Sequence, residues 1–174
     1  AVCSDTEKRI RKANEKDMPR ILEIYEEARR FMAENGNPGQ WTDGYPQEEL
    51  IREDMTRGNL YLCEDGDGIA AVFVFFLDEE PSYRNISGGA WLNEEPYGTI
   101  HRIASAGKRK GAASFCVDWC YKQCRNLRID TYKDNLPMQR FLKKKGFLFC
   151  GAVQVENTKG DRERLAFQKC ENKR

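Results

Sequence analysis

The chain has 174 residues, enough for one well-buried core and short for two. Its 29 basic and 28 acidic side chains nearly cancel, leaving a net charge of +1. That excludes the broad positive field of a general nucleic-acid binder, so any phosphate the chain binds is expected on a local patch. The longest apolar run, Ile69 to Leu77, is too short to cross a bilayer, and Ala1 to Arg11 lacks the apolar centre of a secretory signal.

In chain order, Lys8 to Ala13 reads as a first strand. Met18, Ile21, Leu22, Tyr25, Ala28 and Met32 then recur at helical spacing, and Asn35-Gly36 ends that helix. A turn-rich loop through Asn37-Pro38-Gly39-Gln40-Trp41 to Tyr45-Pro46 precedes a short helix, Gln47 to Thr56. Asn59 to Glu64 and Ile69 to Leu77 read as strands of a hairpin, because Asp65-Gly66-Asp67-Gly68 lies between them. A long loop from Asp78 to Pro96 leads to a strand, Tyr97 to Ile103. A helix from about Gly111 to Cys124, a strand Leu127 to Thr131, a helix Leu136 to Lys145 and a closing hairpin between Phe147 and Gln168 complete the order. Strand–helix–strand units imply a parallel pair and hairpins imply antiparallel neighbours, so the sheet is expected to be mixed, an α/β (mixed α+β) class in one domain spanning 1–174.

The segment that carries chemistry is Lys108-Arg109-Lys110-Gly111-Ala112-Ala113-Ser114, after a strand and at a helix start. A helix N-terminus presents unpaired N–H groups and the positive end of the helix dipole, and small residues let an anion approach them. Gly107 adds a further small residue. Neither G-x-x-x-x-G-K-[ST] nor G-x-G-x-x-G is present at this junction, which sets aside the two common nucleotide loops. Taken alone, the segment is also compatible with a solvated basic turn.

The segment resembles the coenzyme A fingerprint [Q/R]-x-x-G-x-[G/A] of the GNAT N-acetyltransferase superfamily, with Gly111 and Ala113 in register and Lys108 in place of Gln or Arg. The resemblance continues at Asn135, followed eleven and twelve residues later by Gly146-Phe147, and the element order runs along the whole chain. It implies a GNAT-like acyl-CoA N-acyltransferase fold with two splayed parallel strands. It further implies acetyl-CoA as cosubstrate, its pantetheine arm bonded by the main chain of Ile103, Ala104 and Ser105 and its phosphates by residues Lys108, Arg109, Lys110, Gly111, Ala112, Ala113 and Ser114. An N–H near Ile103 would polarise the thioester carbonyl. Asn135 would reach pantetheine, cap its helix, or do both.

Transfer needs a base, because an alkyl ammonium has a pKa of about 10. His101, the only histidine, lies on the strand before the loop, either as that base or as a packed strand residue, with Tyr97 as a further candidate. A regular strand would put Tyr97, Thr99, His101 and Ile103 on one face. Where the family commonly has a tyrosine that protonates the leaving thiolate, this chain has Leu142, which leaves Tyr132 or a water for that role. Tyr25, Trp41, Tyr45 and Trp91 are the candidate acceptor-binding aromatics, with Phe31 and Tyr83 beside them; Trp41 and Trp91 fit a binding role or a core cap equally. The acceptor is expected to be an amine on a small molecule or peptide.

The seven cysteines form no Cys-x-x-Cys pair, and Cys116, Cys120 and Cys124 share one helix face, read as buried hydrophobes and not as metal ligands. With no metal, membrane or nucleic-acid partner indicated, the expected compartment is the cytoplasm, with reduced thiols. The rival readings are a non-catalytic acyl-CoA-binding module and a basic-patch nucleic-acid binder. Lys143-Lys144-Lys145 suits the helix dipole better than a ligand phosphate. Oligomeric state stays open, a homodimer among the options.

Overall fold

The computed structural model describes residues 7–107, 109–156, 158 and 160–171. The order is β1 (Arg9–Lys12), α1 (Met18–Glu34), α2 (Glu48–Thr56), β2 (Leu60–Asp65), β3 (Gly68–Phe76), β4 (Gly98–Ser105), α3 (Ala112–Cys124), β5 (Asn126–Thr131), α4 (Leu136–Lys144), β6 (Leu148–Gln154) and β7 (Glu163–Cys170). Seven strands form one sheet in the order β1-β2-β3-β4-β5-β7-β6, antiparallel except for the parallel pair β4–β5. The mixed sheet expected from the pattern is present, and each element lies within a few residues of its predicted bounds.

Local sequence explains the entry to α1. The Asn14 side chain accepts from the Lys16 N–H at 3.0 Å, while the Asn14 N–H donates to Asp17 at 2.8 Å. This reciprocal cap ends in Pro19 at the helix start, where a missing N–H costs nothing. Arg11 then clamps Asp17 through two 2.8 Å bonds, fastening β1 to the helix. Met18, Ile21, Ile24 and Tyr25 are buried, the stripe that the spacing demanded.

The strands sort their side chains by alternation. On β3, Ala71, Phe73 and Phe75 join the cluster under α3 and α4, whereas Val72 and Val74 join the one under α1 and α2. Cys116 and Cys120 are fully buried in the former, beside Cys63, and all six described cysteines are free thiols. Burial pushes the Cys120 thiol up and so keeps it unreactive.

On β4 the alternation breaks. Val74 faces His101 but Val72 faces Ala104, so Arg102 and Ile103 together oppose one residue of β3. Arg102 takes a left-handed φ of 48°. Ile103 consequently packs with Ile100 in the α3 cluster, and the expectation that it shares a face with His101 is corrected. A left-handed non-glycine costs about 1–2 kcal/mol. The bonds from Arg102 to Asp54 (2.7 and 2.9 Å) and from Tyr25 Oη to the Arg102 carbonyl (2.8 Å) offset it, since one bond to a charged group is worth about 1.5–3 kcal/mol.

Candidate active site

The parallel pair is paired only at Gly98–Leu127 and Thr99–Arg128. Beyond these rungs β4 runs to Ser105 and β5 to Thr131 without pairing each other, and two cavities open at the divergence. One is a groove of about 860 Å³, walled by the end of α1, by Ile103, Ala104 and Ser105, by the loop before α3, and by the start of α4. The other is a chamber of about 300 Å³, walled by Gln40, Trp41, Tyr45, Glu80, His101, Asp130 and their neighbours. Met32, Ile103 and Met138 line both. The cavities therefore adjoin at these side chains, beside the gap between the strands.

In the loop before α3, Gly107 and Gly111 have φ of 52° and 78°, with no atom of a described residue within 4 Å of where a Cβ would stand. Gly111 is the N-cap of α3 and no side chain caps that helix. The first-turn N–H groups at Ala112, Ala113 and Ser114 thus have no partner within the helix, and Ala113 lines the groove with Lys110, an arrangement suited to an anion. Arg109 lines the groove but is bonded to the Asp65 carboxylate and, at 3.2 Å, to the Asp67 carbonyl, so it ties the loop to the β2–β3 hairpin. Lys108 lies outside the described residues. A cation that the sequence assigned only to the helix dipole, Lys145, reaches Ser114 Oγ and Asp118 Oδ1, both at 2.7 Å.

Asn135 does cap α4, its Oδ1 accepting from the Met138 N–H at 3.1 Å. Its Nδ2 donates to Gln40 Oε1 at 2.9 Å, and Asn37 Nδ2 donates to the same oxygen at 2.8 Å. The loop after α1 is thereby pinned over the groove. Asn37, buried, lines the groove, and its Oδ1 has no partner among the described residues. The walls, with Phe31, Met32, Pro137, Met138 and Phe141, suit an apolar arm ending in a charged group.

In the chamber, His101 Nε2 lies 3.3 Å from Glu80 Oε2 and Nδ1 lies 3.9 Å from Asp130 Oδ2. Tyr83 Oη donates to that Asp130 oxygen at 2.6 Å, and the rings of Tyr83 and Phe76 flank the imidazole at 6.0 and 5.6 Å. Burial alone would raise the Glu80 carboxyl; contact with His101 and hydrogen bonds from Ser82 together outweigh it and hold the group below the usual carboxylate range. Arg102 bridges Asp54 and, at 3.1 Å, the Tyr45 hydroxyl. Trp41 stands edge-on to Tyr45 at 6.0 Å, so both loop aromatics predicted from the sequence do reach the chamber.

Other predicted residues are used elsewhere. The Tyr97 hydroxyl accepts from the Glu80 N–H at 2.9 Å, and its ring packs on the Arg128 guanidinium at 3.9 Å. Trp91 covers the same guanidinium at 4.2 Å and donates to the Tyr83 carbonyl at 2.8 Å, a core cap and not a cavity wall. Tyr25 is buried, with its hydroxyl on the Arg102 carbonyl. Tyr132 donates to Asp161 at 3.0 Å under the Arg164 guanidinium and does not line the chamber. Leu142 is fully buried in the α3 cluster. The residues missed were Glu80, Asp130, Arg102 and Arg164. A usable signal existed in β5, where Arg128 and Asp130 place two charges on one face of a strand that lies between two others.

No protein-family model matches the sequence, and no curated protein matches it. Among solved structures it is similar to a GNAT-family acetyltransferase from Streptococcus agalactiae 2603, with 30% identity and a TM-score of 0.84 over 95% of this chain and 96% of that one. A GNAT-family acetyltransferase from Listeria monocytogenes 4b F2365 has 18% identity and a TM-score of 0.67 over 97% and 98% of the two chains, a likeness of fold. Arabidopsis thaliana Naa50, solved with the bisubstrate analogue CoA-Ac-MVNAL, shares the fold at 14% identity and a TM-score of 0.60 over 94% and 99%.

Proposed function

The chain belongs to the GNAT family of acetyltransferases, and from that premise we propose that it transfers the acetyl group of acetyl-CoA to a primary amine of a small molecule or peptide. The observation that carries this reading is the meeting of a long apolar groove and a small polar chamber at Ile103 and Met138, between strands that have parted. A thioester lying in the groove with its diphosphate at α3 would present its carbonyl to that junction. The groove fits such a donor: an uncapped helix start, two glycines with open space before them, and apolar walls.

The amine nitrogen attacks the thioester carbonyl carbon, the C–S bond breaks, and coenzyme A leaves as its thiolate. His101 accepts the proton from the acceptor, directly or through one water, and Glu80 and Asp130 stabilise the resulting imidazolium. The main chain of β4 near Ile103, unpaired on the side of β5, supplies the polarising N–H. With Leu142 buried, this helix position offers no acid to the thiolate. A thiol with a pKa of about 8.5 leaves as its anion, and a general acid is worth about 10²–10⁴-fold. We assign all 174 residues to this one domain, acting in the cytoplasm without a metal, membrane or nucleic-acid partner.

The test is incubation with acetyl-CoA and a panel of amines, following free thiol and product mass. Amine-dependent thiol release is expected. Stabilisation by acetyl-CoA without thiol release from any amine would instead support the second reading, a non-catalytic acyl-CoA-binding module, which the buried Leu142 favours.

A further inference from the structure

The chamber contains a buried charged group that the transfer step does not use and that no carboxylate contacts among the described residues. Arg164, on β7, is 4% exposed and lines the chamber. Its Nη1 donates to the carbonyls of Asp161 (2.9 Å) and Glu163 (3.0 Å), and its Nη2 to the carbonyl of Gln40 (3.3 Å). Among the described residues no carboxylate pairs with it. The other enclosed arginines differ: Arg11 has Asp17 and Glu64, Arg102 has Asp54, and Arg128 lies between two aromatic rings and lines neither cavity. Asp130 and Asp161 act on Arg164 only through space; a buried guanidinium with no carboxylate in bonding contact is costly, and its planar fork matches a carboxylate in two parallel bonds.

Anionic groups share the same chamber, where Glu80 and Asp130 flank His101, Asp130 on the strand that pairs with that of Arg164. Resting on the acyl-transfer reading above, we infer that Arg164 binds a carboxylate of the acceptor, and that the acceptor class is the small free amino acid, held by its carboxylate at Arg164 and by its amine at His101, Glu80 and Asp130. The volume of about 300 Å³ is at the lower end of small-molecule sites and admits such a compound. Trp41, Tyr45 and Val155 are left to meet its side chain. The same Arg164 contact reads the donor side as well, because Gln40 accepts from Arg164 through its carbonyl and from Asn135 through its side chain.

The experiment measures acetyl transfer to L-alanine, L-methionine, L-phenylalanine, L-glutamate and L-lysine, each beside its carboxamide and its decarboxylated amine, with spermidine as a polyamine. Wild type is expected to favour the free amino acid over its carboxamide by about 10- to 100-fold in kcat/KM, the range for one charged hydrogen-bonded contact. Arg164→Gln should collapse that ratio to near one, and Arg164→Lys should recover part of it. The ratio is read within one preparation, so a variant that folds poorly still reports it. Equal or better transfer to carboxamides, decarboxylated amines or spermidine overturns the inference. If no amine is acetylated the transfer reading itself fails, and calorimetry of L-phenylalanine against L-phenylalaninamide on the coenzyme A-saturated protein decides the role of Arg164. A carboxylate preference that Arg164→Gln removes upholds it; equal binding rejects it.

Discussion

Replacing Gly111 by Asn tests whether the start of α3 seats a diphosphate. At a φ of 78°, with no atom of a described residue within 4 Å of the Cβ position, this site tolerates Asn, the residue that enters the left-handed region most easily after glycine. The fold should therefore survive with a loss of about 1 kcal/mol or less. The new side chain, however, stands in the open space before the uncapped N–H groups. Acetyl-CoA at a hundredfold excess over its Kd stabilises the folded state by about 2.7 kcal/mol. For a chain of this size each kcal/mol moves Tm by about 2–4 °C, so wild type should gain about 5–11 °C. Gly111→Asn should gain almost nothing. Gly146→Asn is the control: its φ of 88° imposes the same conformational demand, but its Cβ meets only the Lys169 side chain, the nearest atom at 3.7 Å, and the gain should persist. Differential scanning fluorimetry with and without acetyl-CoA reads both. A Gly111→Asn protein that keeps the full shift refutes the seat.

His101→Gln should lower kcat/KM by about 10²-fold or more while leaving stabilisation by acetyl-CoA intact; an unchanged rate would reduce His101 to packing between Tyr83 and Phe76. The bonds from Arg11 hold the Asp17 carboxyl below the usual range, so its contribution is fully present above an unfolded pKa of about 3.9 and is lost as pH falls through the lower folded value. Urea melts should accordingly show Asp17→Asn less stable by about 2 kcal/mol at pH 7, with the gap closing below about pH 4; a gap that ignores pH contradicts this. Gly98→Ala places a Cβ 2.6 Å from the Phe75 ring and 2.8 Å from Cys124 Sγ at the first rung of the parallel pair. It should cost about 1–3 kcal/mol by chemical denaturation, and a neutral result would mean that Phe75 relaxes freely.

The elements were legible because their periods are clean. Met18, Ile21 and Tyr25 announce a helix, the alternating Val72, Phe73, Val74 and Phe75 serve a sheet buried on both faces, and Asp65-Gly66-Asp67-Gly68 can only turn. The donor half of the site was legible for a related reason: Gly111-Ala112-Ala113 is a continuous local motif. The proposed acceptor half was legible only in part, at His101, Trp41 and Tyr45. Its polar groups come from a loop, β4, β5 and β7, and only tertiary structure brings Glu80, His101, Asp130 and Arg164 together. The β4 bulge falls on an arginine in place of the glycine that usually marks one, so Ile103 was given the wrong face. Aromatics misled for a different reason: Tyr97 and Trp91 lie close to the site in sequence but are occupied in flanking Arg128.

The segment between α1 and α2 grips both halves of the molecule at once, Gln40 through Asn135 and Arg164, Tyr45 through Arg102. Retailoring it to accept a different amine, as a designer would first attempt, also releases the latch over the donor and the brace behind the kinked strand. Successful grafts will be those that keep these two side chains and vary only the turns between them.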